Sequence, residues 1–521
     1  MRYHHMSKGK VVFLVYQKDF SESGKDRYFI FDNESLFEVT VQELVSYKCF
    51  IVTHDFWLIS SSIYKSANVL PNKIIDVVLL AKIVSGVKSV TSDTQPWDIS
   101  KTIKPIFSKS EDFNYYMDVY YRRKSFDFDI YLLFAHKLCE YFESLSETSY
   151  QQEETSRFYS LELPVYNLMT LAVCRGIKID NETFREHKEN LQLDFYRELK
   201  KFSEKHDVLY ELPKEGDIRE KLITLNYHVD GVSIDFLLDF IPSIDGYTDD
   251  LRRLQKINKS YQIFNSISSS SNRLHPIVES HWTSTSRIYY KSPAIQNIAK
   301  KYRDIFIPDA GKILSYVDYD QFEIGVMAYI SKDPMMIEIY TRTDAYSDFA
   351  IKVFNDKNKR KSAKVIFLSY VYGMSMDNIK KSTISMGGNS GKLQDYFEKF
   401  EVFESWKQSV WKEFESEGRI GTIKSNYLKR AGEGKLTEKE KRISVNHVIQ
   451  GTATYIFKLA LLEVSKVDDI DILIPMHDAA LIQHTEKVSS EKFKEIFENV
   501  MTEVLPGIQG KASLEDFYIS E

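Results

Sequence analysis

Apolar and polar positions alternate with two different periods in the first 150 residues of the chain. The runs Val11–Tyr16, Tyr28–Phe31 and Phe50–Val52 are rich in β-branched and aromatic residues, which is typical of strands. Ile75–Ile83 and Asp129–Leu138 repeat apolar residues with the period of a helix, so they predict helices. The order of these elements predicts an α/β domain with a mixed sheet.

Beyond this region the pattern becomes mostly helical. The polar stretch at 144–156 predicts a linker. A helical period over Leu161–Arg175 ends at Gly176, and glycine favours the C-terminus of a helix. Further mostly helical stretches are predicted over about 181–275, 321–415 and 437–464.

Length and composition narrow the class of protein. The 521 residues are enough for roughly two to four folding units. The net charge of -6 excludes a uniformly basic surface but is compatible with a local basic cleft, because attraction depends on how charge is distributed. The cysteines have no CxxC spacing, and no apolar run reaches the length of a membrane span. We therefore expect a soluble, multidomain protein of a reducing compartment.

An aspartate, Asp318, stands between two different patterns. Ile313–Val317 has the pattern of a buried strand, and Gln321–Ile330 has that of a helix. A carboxylate where a strand passes into a helix is well placed to bind a metal ion. The alternative is that Asp318 is simply the N-cap of the helix, since aspartate is common there.

A second aspartate, Asp478, lies between the apolar runs Ile472–Ile474 and Ala480–Ile482. This pattern predicts a hairpin with His477 and Asp478 at its turn. A purely structural turn residue is the alternative, because aspartate is frequent in turns. Two oxygen ligands at strand ends are nevertheless what two-metal phosphoryl transfer requires.

Between the two aspartates lies a helical stretch in which Arg360, Lys364, Leu368 and Tyr372 recur every four residues. Such residues share one slowly turning face of a helix. Two cations followed by an apolar residue and a tyrosine suit a triphosphate with a sugar and base beyond it. The alternative is a solvated basic stripe.

Two further groups of polar residues offer amides and guanidinium groups, which commonly contact sugars, base edges and phosphates. The alternative for the first group is a polar surface loop, and the alternative for the second is a solvated helix face. The first group contains Arg287, Gln296, Asn297 and Arg303, and the second contains Arg442, Asn446 and Gln450, four residues apart.

Taken in order, these strings resemble the family A DNA polymerases, the group of bacterial DNA polymerase I and its phage relatives. The strings are DYDQFE at 318–323, RKSAKVIFLSYVYG at 360–373 and MHDA at 476–479. The resemblance covers residues 155–521 and implies a right-hand polymerase fold. It places the thumb at about 181–275, the palm at about 276–335 and 437–521, and the fingers at about 336–436.

The resemblance implies template-directed addition of dNTPs to a primer 3′-OH in phage, plasmid or bacterial replication. It implies Asp318, Asp478 and Lys364 as catalytic residues. It implies two Mg²⁺ ions, replaceable by Mn²⁺, on Asp318, Asp478 and the backbone carbonyl of Tyr319. The implied dNTP contacts are Arg360, Lys364, Leu368, Tyr372, Gln321, Glu323 and His477. The implied primer–template contacts are Arg287, Gln296, Asn297, Arg303, Arg442, Asn446 and Gln450.

Partners and location follow from the same resemblance. Primer–template DNA and dNTPs are the implied ligands, and no membrane is involved. A helicase-primase or a processivity factor is left open as a further partner. The implied location is the cytoplasm, or the host cytoplasm for a phage-encoded protein.

Residues 1–150 resemble the RNase H-like 3′–5′ exonuclease domain that precedes this polymerase module. Such a nuclease needs a DxE pair in its first strand, but that strand reads Phe13-Leu-Val-Tyr-Gln-Lys18. Asp76 and Asp127 remain but are scattered. We therefore predict an inactive exonuclease-type domain and no proofreading, with residual exonuclease activity as the alternative.

Three positions depart from the family pattern. Leu368 stands where an aromatic residue normally packs on the nucleotide sugar, Ala479 replaces an acid, and Gly325 replaces an arginine. Two other classes stay open: a single-subunit RNA polymerase and a non-catalytic, polymerase-like DNA-binding subunit. Glu323, implied to crowd the ribose 2′ position, argues against the first. The presence of both palm aspartates and Lys364 argues against the second.

Overall fold

A computed structural model describes residues 10–21, 25–86, 103–225, 229, 234, 238, 246–268 and 271–519. The chain divides into two compact units. The first consists of Met1–Gly176, Ile277–Tyr289 and Gly421–Ala431, and the second of Ile177–Pro276, Tyr290–Ile420 and Gly432–Glu521. The domain boundary near residue 150 and the assignment of thumb, palm and fingers stay predictions.

The strands of the described residues are, in chain order, β1 Val11–Gln17, β2 Arg27–Asp32, β3 Ser35–Val39, β4 Phe50–Thr53, β5 Ile74–Asp76, β6 Ile177–Lys178, β7 Arg273–Leu274, β8 Ile277–Glu279, β9 Tyr289–Ser292, β10 Ile313–Tyr319, β11 Arg419–Thr422, β12 Ser425–Lys429, β13 Ile470–Pro475, β14 Ala479–His484 and β15 Ala512–Glu515.

The α-helices of the same residues are α1 Val41–Ser46, α2 Trp57–Ala67, α3 Val77–Ser85, α4 Ser110–Tyr120, α5 Phe128–Gln151, α6 Thr155–Arg157, α7 Leu163–Arg175, α8 Asn181–His206, α9 Glu215–Thr224, α10 Tyr247–Ser266, α11 Phe322–Ser331, α12 Pro334–Arg342, α13 Ala345–Phe349, α14 Arg360–Val371, α15 Met376–Ser385, α16 Ser390–Phe397, α17 Glu401–Glu417, α18 Glu438–Val464 and α19 Glu491–Val504. None of these helices has the length and hydropathy needed to cross a membrane.

The first unit contains a five-stranded sheet in the order β3-β2-β1-β4-β5. Strands β1 and β2 are antiparallel, with Tyr16 opposite Tyr28, whereas β1, β4 and β5 are parallel to one another. Apolar side chains of β1 and of α5, among them Phe13 and Phe134, share one buried cluster. The predicted mixed α/β sheet is therefore confirmed, although the likeness to an exonuclease stays a prediction.

Two local predictions in this unit are wrong. The run Ile75–Ile83 is not helical from its start, because β5 ends at Asp76 and only then does α3 begin. The predicted linker at 144–156 is mostly helix, since α5 continues to Gln151. Its polar composition hid a buried face: Leu145, Ser146 and Ser149 lie on the same side of α5 as Phe142 and are buried with it.

The second unit contains a four-stranded sheet in the order β13-β14-β10-β15, in which every neighbouring pair is antiparallel. Strands β13 and β14 form the hairpin that the sequence predicts, with residues 476–478 between them. In the same unit, α8 and α10 pack through a separate apolar cluster that includes Phe195, Phe202 and Leu254.

Helices α11 and α18, which carry predicted site residues, begin close to where the sequence places their starts. Helix α14 begins at Arg360 itself. Helix α18 begins after Thr437, whose hydroxyl accepts a hydrogen bond from the Glu440 amide while the Glu440 carboxylate accepts one from the Thr437 amide. This reciprocal pair satisfies two amides that a helix N-terminus otherwise leaves without partners.

Candidate active site

The two aspartates that are 160 positions apart in sequence are neighbours in the second unit. Strand β10 pairs with β14 in a register that sets Asp318 opposite Ala479, the residue after Asp478. The amide of Tyr319 donates a hydrogen bond of 3.2 Å to the carbonyl oxygen of Asp478. The sheet thus brings together the two carboxylates predicted to bind metal.

The electrostatic surroundings of Asp318 are strongly negative. Burial, followed by the nearby carboxylates of Asp478 and Glu515, raises the pKa of Asp318 to about 8, although Lys364 opposes the shift. Its Oδ1 atom is buried and has no hydrogen-bond partner among the described residues. Both observations describe a carboxylate whose negative charge is poorly compensated, which a divalent cation would relieve.

The donor set therefore fits a hard metal ion. Across the described ranges, no group of three or more carboxylate, imidazole or thiol side chains is clustered to hold a metal. Two carboxylates suit Mg²⁺ in particular, because it retains several water or phosphate ligands and seldom needs a cage made only of protein. The predicted role of the Tyr319 carbonyl as a ligand stays a prediction.

Two residues just after β10, Gln321 and Glu323, form hydrogen bonds with the first residue of α13 and with the residue that follows α14. Gln321 has a left-handed backbone, with a φ of 52°, and its Oε1 atom accepts a 2.7 Å hydrogen bond from the amide of Ala345. The carboxylate of Glu323 accepts a hydrogen bond from the hydroxyl of Tyr372, which ends α14. Glu323 and Tyr372 are therefore in contact, and Gln321 and Glu323 follow Asp318 by three and five positions.

The predicted triphosphate-binding cations lie at the start of α14. Arg360 forms a two-pronged ion pair with Asp344: its Nε lies 3.0 Å from Oδ1 and its Nη2 2.8 Å from Oδ2. The ring of Tyr346 lies beneath both cations, 5.4 Å from the Arg360 guanidinium and 5.7 Å from the Lys364 ammonium. Leu368, two turns further along α14 than Arg360, is half-buried.

Asp344 and Tyr346 were missed by sequence reasoning. The only local signal was the order Asp344-Ala-Tyr-Ser347, in which an aspartate stands three residues before a serine at a possible helix start. That order predicts an N-cap, and Asp344 does accept a hydrogen bond from the Ser347 amide. Nothing in it indicates Arg360 as a second partner, because that contact is made across a separate helix.

The predicted DNA contacts of the second unit divide into two kinds. Gln296 Oε1 and Asn446 Oδ1 are buried acceptors with no partner among the described residues. By contrast, Arg303 donates to the carbonyl of Ile298 at 2.9 Å and lies over the Phe517 ring at 5.2 Å, so its guanidinium already has structural partners. Asn297 is exposed, whereas Gln450 and Arg442 are half-buried. His477, which was predicted to contact the dNTP, is also exposed.

Gly373, just after α14, leaves room for the side chain of Arg442. A Cβ atom at Gly373 would lie 2.7 Å from the Arg442 side chain, and the φ of Gly373 is +74°, which side chains rarely adopt. Glycine is therefore required at position 373 for two reasons: its backbone conformation, and the space that the Arg442 side chain occupies.

Arg287 belongs to the first unit, where a buried ionic network holds the adjoining backbone. Ser286, whose φ is 62°, donates a 2.6 Å hydrogen bond to Glu162. Arg157 bonds both Glu162, at 2.6 Å, and Glu154, at 2.7 Å. A buried guanidinium with two hydrogen-bonded carboxylates fixes the local geometry of the segment before Arg287.

The remaining carboxylates of the predicted exonuclease-type domain have structural partners. Asp76 accepts hydrogen bonds from the Phe56 amide and the Tyr166 hydroxyl, both at 2.8 Å, and from the Val78 amide at 2.9 Å. Burial, followed by the charge of Asp55, raises the pKa of Asp76 to about 6. Asp127 is the N-cap of α5.

Comparison with known proteins identifies the class of protein. The family model of DNA polymerase family A matches residues 234–511, which is more than half of the chain. The chain therefore belongs to DNA polymerase family A, as the sequence motifs predicted. Members of this family use divalent metal ions.

Curated relatives are similar over parts of their length. A DNA polymerase I from Caldicellulosiruptor bescii is 28% identical over 285 residues, which cover 49% of this chain and 34% of the relative. A DNA polymerase I from Helicobacter pylori is 24% identical over 410 residues, which cover 71% of this chain and 44% of the relative. The chain thus spans less than half the length of these curated relatives.

A solved structure extends the likeness in fold to nearly the whole chain. The POL domain of Pol1 from M. smegmatis, in complex with DNA primer-template and dNTP, matches with a TM-score of 0.72 and 17% sequence identity. The match covers 97% of this chain and 95% of the other. At this identity it shows the fold, and the roles of individual residues must be argued from their chemistry.

Proposed function

We propose that this chain catalyses template-directed DNA synthesis, adding a dNTP to the 3′-OH of a primer. The observation that carries the proposal is the pair of strand-end aspartates, Asp318 and Asp478. They are held side by side by β10 and β14, and Asp318 has a buried oxygen that finds no partner in the part of the chain that the structure describes. A pair of this kind suits the metal-dependent phosphoryl transfer expected of a family A polymerase.

Asp318 and Asp478 would hold two Mg²⁺ ions, with the Tyr319 carbonyl as a further ligand. Bound there, the ions would activate the primer 3′-oxygen and neutralise charge on the triphosphate. The protein side of the reaction is chiefly positioning and charge compensation. The sheet register contributes by directing both carboxylates at the same point, where a bound cation would favour the ionised form of Asp318.

The cations of α14 would complete the charge compensation. The fork of Arg360 suits two phosphate oxygens, whereas the Lys364 ammonium is a point charge that can also give a proton to the departing pyrophosphate. Lys364 is close enough to Asp318 to lower its pKa. We therefore assign Lys364 the position nearest the reacting phosphate.

Residues around the nucleoside would provide selection. Glu323 would crowd the ribose 2′ position and so favour deoxynucleotides, and the hydrogen bond from Tyr372 keeps its carboxylate in place. Leu368 would line the sugar side. Gln296 and Asn446 would direct at primer–template DNA the acceptors that have no partner among the described residues.

We further propose that the first unit does not proofread. Its first strand, β1, offers apolar side chains and Tyr16 where such a nuclease would need two carboxylates. Asp76 and Asp127 are engaged in helix caps and other hydrogen bonds. The biological setting, replication of phage, plasmid or bacterial DNA, stays a prediction from the resemblance.

A primer-extension assay tests these proposals together. The chain is incubated with a labelled primer–template and Mg²⁺ and with dNTPs, rNTPs or no nucleotide. We expect extension with dNTPs, little with rNTPs, and no shortening of a mismatched primer without nucleotide. Extension with rNTPs alone would indicate an RNA polymerase, and primer shortening would refute the loss of proofreading.

A variant identifies the catalytic centre. Asp478→Asn removes one proposed metal ligand with little change in volume, so extension should be abolished while DNA binding, measured by fluorescence anisotropy, persists. Asp468→Asn, in the exposed turn before β13, is the matched control and should extend normally. Near-normal extension by Asp478→Asn would refute the assignment.

A further inference from the structure

The arginine proposed to bind the triphosphate is already bound by a carboxylate. Both oxygens of Asp344 accept hydrogen bonds from Arg360, at 3.0 and 2.8 Å, in a parallel two-pronged pair. This is the same geometry in which a guanidinium binds two oxygens of a phosphate. One edge of the guanidinium cannot serve both partners at once.

The second cation of α14 differs from the first. Lys364 has no carboxylate within ion-pair distance among the described residues, and its ammonium lies 5.7 Å from the centre of the Tyr346 ring. Arg360 and Lys364 share that ring but not the neutralising acid. Charge compensation by Asp344 is therefore specific to Arg360 and is not a general property of the cationic face.

Asp344 is fixed in place independently of Arg360. Its Oδ1 atom accepts a 2.7 Å hydrogen bond from the Ser347 amide at the start of α13. The next residue, Ala345, donates its amide to Gln321 at 2.7 Å, three residues beyond the metal-site aspartate Asp318. Because Asp344 is anchored to its own helix and to the end of β10, a ligand that needs Arg360 must draw the guanidinium away from it.

We propose that Asp344 competes with the nucleotide triphosphate for Arg360 and thereby sets the affinity of the site for triphosphates. This inference rests on the proposed function of Arg360. In the absence of nucleotide the pair neutralises Arg360. A phosphate group then has to exchange for the carboxylate, which lowers triphosphate affinity relative to a site in which Arg360 is unopposed.

The test is an equilibrium titration that needs no catalysis. Inorganic triphosphate and a complementary dNTP are each titrated, by calorimetry, into the full chain bound to a primer–template whose primer ends in a dideoxynucleotide. Asp344→Asn should bind both ligands about twofold to fivefold more tightly, the range for a partly exposed ion pair. Unchanged or weaker binding would overturn the proposal and make Asp344 an orienting partner of Arg360.

The substitution keeps the fold because asparagine is an equally good N-cap for α13. Asp344→Ser is a second variant that keeps the cap and removes the charge, and it should show the same tightening. Asp348→Asn is the matched control: this carboxylate lies on the same helix and pairs with Lys352 at 2.9 Å, not with Arg360. Its triphosphate affinity should equal that of the unmodified chain.

A double-variant cycle separates competition from general repulsion. On an Arg360→Ala background, Asp344→Asn should leave triphosphate affinity unchanged, because no guanidinium remains to be released. Tightening that persists on this background would overturn the proposal in favour of simple charge repulsion by Asp344.

Extension of an ordinary primer by the unmodified chain is measured alongside. If the unmodified chain extends the primer but Asp344→Asn does not tighten binding, only the inference about Asp344 fails. If the unmodified chain does not extend the primer, the proposed function fails whatever the titration gives.

Discussion

Asp76 in the first unit and Asp318 in the second are both aspartates at a strand end that precedes a helix, yet their surroundings differ. Both oxygens of Asp76 accept hydrogen bonds from neighbouring groups of the fold. In Asp318, one buried oxygen has no partner among the described residues. Burial and nearby carboxylates raise the pKa of each.

The difference shows how to distinguish a structural carboxylate from one available to a ligand. A raised pKa alone does not separate them, because burial produces it in both. The number of satisfied acceptor sites does separate them, since a buried polar group left without a partner costs free energy unless a ligand supplies one. By this criterion Asp318 is available to a ligand such as the proposed metal ion, whereas Asp76 serves the fold of the first unit.

The largest expected effect is on the rate of primer extension, when the same substitution to asparagine is made at Asp318 and at Asp76. Asp318→Asn should lower the rate of primer extension by about 10²–10³-fold or more, because it removes charge where the transition state needs it. Asp76→Asn should leave the rate per folded molecule within about twofold, well under the effect of one lost charge contact. Steady-state extension rates, normalised to the folded fraction by circular dichroism, make the comparison. Similar losses in the two variants would contradict the distinction.

A smaller effect is expected on the stability of the first unit, where Asp76 is the residue that matters. Asp76→Ala leaves three donors without this acceptor, one in a buried and two in part-buried hydrogen bonds, and should lower the free energy of unfolding of the first unit by about 2–4 kcal/mol. Asp129→Ala, at an exposed position in α5, is the control and should change it by less than about 0.5 kcal/mol. Urea unfolding followed by hydrogen exchange of first-unit amides measures both. If the two variants lowered stability equally, the structural role assigned to Asp76 would be wrong.

The smallest expected effect is on pH dependence. Folding raises the pKa of Asp76 from an ordinary 3.8 to about 6, so the folded chain holds this proton more tightly than the unfolded chain. The resulting stabilisation is complete below about pH 4 and is lost as pH rises through about 6, by at most about 3 kcal/mol. Unfolding midpoints between pH 4 and 7 should fall in the unmodified chain and fall less steeply in Asp76→Asn. Parallel curves would show that Asp76 does not titrate in this range.

Strong local signals allowed much of the second unit to be predicted from the sequence. Helix α18 was expected at 437–464 and begins at Glu438, because Thr437 and Glu440 form a cap that depends on four consecutive residues. The hairpin around Asp478 was equally local. The predicted partnership of Asp318 and Asp478 came from the order of the motifs, and the strand register agrees with it.

The failures arose where contacts between distant residues decide the structure. The polar stretch at 144–156 lacked apolar residues in number, but the burial of Ser149 beside Leu145 made it helical. Asp344 could be predicted as an N-cap, whereas its ion pair with Arg360 depends on how two helices pack. Gln296 and Asn446 each have a buried oxygen with no partner among the described residues, and this too depends on neighbours that are distant in sequence.

The pairing of β10 with β14 has a consequence for the synthesis of the protein on the ribosome. Asp318 is synthesised well before Asp478, and at about 5–20 residues per second the 160 positions between them take roughly 8–30 s. During that interval β10 lacks the strand that brings the second aspartate beside the first. Until β14 has been made, a nascent chain therefore lacks the strand pairing that completes the proposed metal site, and the capacity to bind paired ions would arise only with that pairing.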